Sequence, residues 1–468
     1  RVKTYQDLLD VGEDEKQRID FIRQAINEHK SSPAYQFAVD AELYFKGENP
    51  TINRYEKIIY DLQGRAHRDM YTANHKIASS FFGFDVRQEV SYLLGNGVTF
   101  QEEATKKRLG KKFDLMMVKA AKYALIAGVS FGLFNLDHVD VFKLAEFAPL
   151  YDEENGALMA GVRFWQVAED KPLRATLYEV DGYTDYIQRK DEDMTVLEEK
   201  RTYIQQLRTS PADGTEIYAG QNYPSFPIVP LRNGEDALSE LVGKRNTLDA
   251  LDLCTSNMVN NVDEGNLIYW VLQNAGGMDD LDDQKFLDKV RTTHIVHAGS
   301  VEDEGATAEP HTIEAPFQGT DATINMLKRK LYEDFQAFDS SAVSAGNQTA
   351  TAIAASYTPL DLKVDDFEAS VTEFILGLLD LAGIDDEPSY TRSRIINKSE
   401  ETQTILMGAD YYDDEYITKK LLTILGDADQ YDTLMERKAA EEAERVEEEP
   451  DFPPQEGTEG EVTEDAEA

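Results

Sequence analysis

Residues 318–383 constrain the fold more than any other part of the chain. They place Ile324, Leu327, Leu331, Phe335 and Phe338 at steps of three and four, then Val364, Phe367, Val371, Phe374 or Ile375, and Leu378 at the same steps. Each set is the apolar stripe of one helix. Between them, 340–348 reads SSAVSAGNQ and offers no large side chain to anchor it, so the backbone there is expected to be mobile. Two long helices joined in this way make either an ordinary helical hairpin with a polar connection, or a part that moves against something passing beside it.

The rest of the chain is rich enough in apolar residues to fold. Of 468 residues, 41% are hydrophobic and 10% aromatic, which supports a sizeable core divided among roughly two to four domains. No apolar run approaches the ~20 residues that span a bilayer, so no membrane partner is expected. The first residues, RVKTYQDLLDVGEDEKQRID, lack the apolar centre of a signal peptide. The single cysteine, Cys254, excludes an internal disulfide or a cysteine-rich metal site, and its place beside an apolar stripe predicts a packed core thiol. The expectation is a soluble, intracellular product.

The formal net charge is −42. Residues 439–468 hold thirteen acids against Arg445 alone, interspersed with Pro and Gly, and are expected to be disordered. Removing that tail's −12 still leaves about −30 on the remainder. A protein that grips phosphate needs basic patches, so this surface repels nucleic acid on average. The charge serves simple solubility or, more sharply, a surface that lies beside nucleic acid without sticking to it.

Helical patterns cover 15–30, 36–47, 74–94 and 112–127. From 129 the period changes to two, with strands expected at 129–136, 140–147, 157–168, 173–180 and 183–189. Asp181 and Gly182 signal a type I′ hairpin between the last two. Prolines keep 223–230 extended. A further helix is expected after Asn233 and Gly234, carrying Leu238, Leu241, Leu248, Leu251 and Met258 or Val259. A small mixed unit follows, with strands at 266–273, 292–297 and 311–315, a helix near 280–290 and an acidic loop at 301–309. Short acidic helices fill 400–445.

Enzyme signatures are missing. No phosphate-cradling G-x-x-x-x-G-K-[ST], dinucleotide G-x-G-x-x-G or nucleophile-elbow G-x-S-x-G pattern occurs. His294 and His297 form the one close histidine pair, but an i,i+3 pair on a strand points to opposite faces, which suits one metal poorly. No catalytic residue and no cofactor are expected.

Six short stretches, in order, carry a resemblance. They are YFKG at 44–47 with Asn49 and Pro50; NHKI at 74–77 followed by VSYLLG at 90–95; ALIAGVS at 124–130; FAPLYD at 147–152; FPIVPL at 226–231 with Asn233; and Gly346 with TATAI at 349–353. Over 15–440 the chain resembles the portal proteins of tailed bacteriophages, in the siphophage-type branch. The last stretch departs from the pattern, because the usual serine–glycine helix start is missing at Thr349 and Ala350.

That resemblance implies an α+β portal fold with a mainly helical stem, wing and crown, a strand-rich wing subdomain and a small α/β clip, assembled into a ring. Residues 1–232 correspond to the wing, with antiparallel strands at about 129–189. Residues 233–262 correspond to the first stem helix, 263–317 to the clip and 318–338 to the second stem helix. Residues 339–350 correspond to the tunnel loop, 351–384 to a helix behind it kinked at Pro359, 385–445 to the crown and 446–468 to a disordered acidic tail.

It implies a homo-oligomer, about twelve subunits, at one capsid vertex of the virion, assembled in the host cytoplasm. Double-stranded DNA passes through during packaging and ejection without sequence-specific binding. The expected protein partners are the terminase large subunit, the major capsid and scaffolding proteins, and the head–tail connector. In the loop, Ser340, Ser341, Ser344, Asn347 and Gln348 offer hydroxyls and amides for weak phosphate contact. Lys328, Arg329 and Lys330 are the candidate channel cations, unless they form a solvated face or ion pairs. An acidic carboxylate–metal nuclease and another ring-forming virion connector are the alternatives.

Overall fold

A computed structural model describes residues 2–60, 64–70, 72–209, 216–264, 269–273, 307–311, 317–341, 350–393, 398–408, 411–425, 431 and 433–438. The contacts divide the chain into two compact units, one of Arg1–Asn347 with Ala354–Ser393 and one of Gln348–Ile353 with Arg394–Ala468.

The first unit begins with α1 (Tyr5–Val11), α2 (Glu15–Lys30), α3 (Pro33–Lys46) and α4 (Pro50–Arg54), each entered through a side-chain cap from Thr4, Asp14, Ser32 or Asn49. A hairpin of β1 (Ile58–Tyr60) and β2 (Ala66–Arg68) follows. The expected helix over 74–94 is helical only as α5 (Phe81–Leu94). The preceding stretch is extended because its N–H groups donate to side chains rather than back along the chain.

After β3 (Val98–Thr99), α6 (Glu103–Arg108) and α7 (Phe113–Ala127), the strands begin. β4 (Val129–Asn135) pairs with β5 (His138–Lys143) and with β13 (Ile228–Arg232). A 3₁₀ turn at Leu144–Glu146 splits the expected strand 140–147 and leads into β6 (Phe147–Tyr151). β6, β7 (Leu158–Trp165), β8 (Leu173–Glu179), β9 (Gly182–Gln188) and β10 (Thr195–Arg201) form an antiparallel meander.

The β8–β9 turn is made by Val180 and Asp181. Gly182 is already the first residue of β9, at φ +145°, where a Cβ would lie 2.4 Å from the Arg201 carbonyl oxygen. β11 (Ile204–Thr209) and β12 (Glu216–Gln221) add a ribbon, so strands continue past the expected limit near 189.

One face of the meander packs on α2, with Phe21, Ile22, Ala25 and Ile26 meeting Leu150, Val162, Phe164 and Leu177. A second core joins Phe131, Phe142 and Phe147 to Tyr178 and Ile228.

The next helix, α8 (Arg245–Glu264), starts later than expected. Gly234, Ala237 and Gly243 all take positive φ, so no regular helix forms before 244. Leu241, Leu248 and Leu251 are buried as the pattern required, but Leu238 is half exposed. Cys254 is partly exposed rather than enclosed in a core.

In the 263–317 region, β14 (Tyr269–Gln273) pairs antiparallel with β15 (Thr307–His311). Thr307, Ala308 and Glu309 therefore belong to the ladder rather than to an acidic loop, and of the strand expected at 311–315 only His311 lies among the described residues. The expected elements at 280–290 and 292–297, and His294 and His297, lie outside the described residues.

α9 (Phe317–Asp334) packs along α8. The long helix expected over 351–384 is two helices, α10 (Ala350–Ser356) and α11 (Thr358–Ala382), separated at Tyr357. Pro359 lacks an N–H and clashes with a preceding turn, so it fits only in the first turn of a new helix. α11 lies across β13 and β4, where Phe374 sits 2.5 Å from the position a Cβ would take on Gly132. β16 (Ser389–Tyr390) closes on β3.

In the second unit, α12 (Lys398–Met407) packs on α13 (Asp414–Leu425), with Ile417 and Leu422 buried and Tyr412 stacked on Tyr416.

Candidate functional site

The segment between the two apolar stripes is fixed at its base. α9 ends where Gln336 takes φ +52°, and the Ala337 N–H returns to the Tyr332 carbonyl at 3.0 Å. This left-handed stop turns the chain so that Phe335 and Phe338, both buried, continue the stripe without continuing the helix. Phe335 packs against Phe81 and Phe82 of α5. Phe338 is held twice by Gln88 of the same helix: its N–H donates to Gln88 Oε1, and Gln88 Nε2 donates to its carbonyl, both at 2.9 Å.

The Phe338 ring stacks on Tyr357, with centroids 4.0 Å apart and planes 8° apart. Tyr357 stacks in turn on Tyr92 at 5.6 Å and 11°. The chain therefore leaves this point at Phe338 and returns to it at Tyr357, and 339–356 is an excursion whose two ends meet. The base is braced by acids of α11. Tyr92 donates to Asp361 at 2.5 Å, and Arg392 pairs with Asp361 at 3.1 Å, Glu368 at 2.9 Å and Asp365.

Beneath the base lies a buried charge cluster. Lys363 sits on the apolar face of α11 between Leu360 and Phe367, with only 8% of its side chain exposed. Its Nζ lies 3.1 Å from Asp85, 2.7 Å from Glu89 and 3.3 Å from Glu240. Lys244 pairs with Glu240 at 2.7 Å.

Burial pushes the Asp85 carboxyl up to about 6 and the Glu89 carboxyl up to about 8 despite Lys363. Burial acts on Glu240 in the same direction, but Lys363 and Lys244 together draw it down to about 2. With two lysines facing three acids, retention of a proton on Glu89 near neutral pH brings the cluster close to electrical balance. Asp85, Glu89 and Glu240 are near enough to share one cation, and the ammonium of Lys363 already fills that role.

α8 is anchored by a polar stripe. Asp252, Ser256 and Asn260 occur once per turn and are buried. They accept from the N–H groups of Ser79, Ile77 and His75 at 2.9, 3.0 and 2.7 Å. Four helical residues rise about 6 Å and two extended residues advance about 6.6 Å, so alternate N–H groups meet successive turns. The YFKG stretch adds the upper anchor. Tyr44 donates to Asp249 at 2.5 Å, while Asn49 donates to Asp249 at 2.9 Å and Asp252 at 2.8 Å.

The candidate site residues distribute as follows. Ser340 and Ser341 are exposed just beyond the base, with the Ser341 N–H and hydroxyl both donating to Asp339 Oδ1. Ser344, Asn347 and Gln348 lie outside the described residues. On α9, Arg329 lies 3.8 Å from Glu333 and Lys330 pairs with Asp334 at 2.9 Å, both within the helix. Lys328 is exposed and, among the described residues, has no carboxylate within ion-pair distance.

Sequence reasoning missed the Lys363 cluster, the Arg392 brace and the α8 stripe. Two of the three had a signal: a lysine on an apolar face for the cluster, and polar residues at steps of four on a helix for the stripe.

The chain is 23% identical to the portal protein of Bacillus phage SPP1 over 421 residues, covering 83% of this chain and 79% of that one. It is 25% identical to the portal protein of Clostridium phage phiCD119 over 193 residues, covering 40% of this chain and 42% of that one. Residues 39–451 match the family described as phage portal protein, SPP1 Gp6-like, and the chain belongs to that family.

Proposed function

We propose that this portal-family chain assembles into a closed ring of about twelve copies at one capsid vertex, and that duplex DNA enters and leaves through its centre. In this reading α8 and α9 are the stem helices and 263–317 is the clip that meets the terminase large subunit and later the head–tail connector. The wing lies among the capsid and scaffolding proteins. Residues 339–350 are the tunnel loop facing the DNA. The observation that carries this is the Phe338–Tyr357 stack. A loop whose ends are pinned together on a braced base can move at its tip while the ring around it stays rigid.

Charge supports the same reading. About twelve copies bring roughly −500 formal charges, so phosphate is repelled from the wall rather than trapped on it. Ser340 and Ser341 then supply weak contacts and Lys328 the local cation. The occupation of the Asp85–Glu89–Glu240 site by Lys363 argues against the nuclease alternative.

Negative-stain images and packaging assays test the proposal together. Replacement of 340–348 by bulky residues is expected to leave rings intact and to hinder DNA packaging. Loss of rings with that replacement would make the segment an assembly element instead.

A further inference from the structure

The β1–β2 ribbon is uncovered on both faces. Ile58, Ile59 and Tyr60 are 58%, 41% and 71% exposed, as is 75% of Met70 at its foot. A two-stranded ribbon alone is marginal in water, and an exposed apolar one invites association.

Its base, by contrast, is fixed. Lys57 Nζ donates to the Ala73 carbonyl at 2.7 Å, the Asp69 N–H to Lys57 O at 2.9 Å, and Lys76 Nζ to Asn53 O at 2.5 Å. The 75–79 stretch that follows is bonded to α8. The ribbon is thus held out from a firm support.

Its charge is opposite to that of the chain. The sequence between 54 and 76 holds five bases, Arg54, Lys57, Arg65, Arg68 and Lys76, and three acids, Glu56, Asp61 and Asp69, whereas the whole chain has 89 acids and 47 bases.

We propose that this ribbon is an assembly arm that docks on a second copy of the chain. The inference rests on the ring reading above. The exposed isoleucines and Tyr60 supply the apolar contact, and the basic residues match the acidic surface that a second copy presents. In a ring each copy gives one surface and receives on another, so the arm needs no self-complementary patch.

The test uses the purified full chain, with native mass spectrometry and negative stain over a concentration series. An Ile58→Asp/Ile59→Asp variant is compared with wild type and with Ile58→Thr/Ile59→Thr, which keeps strand propensity. Because these side chains are exposed, the circular dichroism and melting of the monomer should not change. The concentration for half-assembly should rise roughly tenfold or more with Asp and less with Thr.

A photo-crosslinker at position 59 should give chain-to-chain adducts in wild-type rings. Normal assembly of the Asp variant without such adducts would overturn the arm and leave the ring reading standing. Adducts to DNA alone would overturn it in favour of the duplex. A wild-type chain that stays monomeric would sink the ring reading and the arm together.

Discussion

Phe338 and Tyr357 lie parallel, 4.0 Å between ring centroids, although eighteen residues separate them along the chain. The stack brings the residues on either side of 339–356 together. Truncation by Phe338→Ala is expected to cost about 3–5 kcal/mol, as for other buried aromatic residues. Phe338→Leu keeps apolar volume but loses the ring contact, at about 1 kcal/mol. Limited proteolysis should show the Leu variant cut faster within 339–356, with the rest of the protein unaffected.

Lys363 is the keystone of the buried charges. Lys363→Met leaves three buried acids with one fewer cation, so a loss of about 3–5 kcal/mol is expected in denaturant unfolding. Glu89→Gln mimics the protonated acid, so it should match wild type below about pH 4.5 and be more stable than wild type at pH 7.

The same cluster sets a pH dependence. Glu89 rises from an ordinary value of 4.5 to about 8 in the folded chain, so between these values the folded state holds a proton that the unfolded state has released. Stability therefore falls as pH rises through this window, by at most about 1.4 kcal/mol per pH unit. Asp85, raised to about 6, adds the same sign at lower pH, and Glu240, lowered to about 2, loses its contribution below about pH 4.5. Unfolding of Glu89→Gln at several pH values should show this slope removed between about 6 and 8.

The α8 stripe can be tested at Ser256. Ser256→Ala leaves the Ile77 N–H without its acceptor, and a loss of about 1–3 kcal/mol is expected. Hydrogen exchange at Ile77 should accelerate. Unchanged protection would mean that the extended stretch is held by packing alone.

Gln336 occupies the left-handed stop of α9 where glycine is preferred. Gln336→Gly is expected to raise stability by up to about 1 kcal/mol, read as a higher melting temperature.

The sequence made the loop's flanking stripes legible because Ile324, Leu327 and Leu331 repeat at helical steps, and burial follows that repeat wherever a helix covers a core. The stops were not legible. Gln336 ends α9 with a residue that gives no glycine signal, and Ala237 delays α8 in the same way. The stack was hidden because Phe338 reads as one more stripe residue and Tyr357 as one residue of the helix expected over 351–384. Motifs pointed to the right family, but their physical role emerged only with their partners: Asn49 both caps α4 and donates to Asp249 and Asp252, about 200 residues away.

In the proposed ring the pinned segment faces DNA in the channel. A photo-crosslinker at position 341, in rings stalled with duplex inside, measures this directly, with the exposed Val167 between β7 and β8 as control. DNA adducts are expected from 341 and none from 167. Adducts from 341 to protein only, with DNA present in the ring, would contradict it.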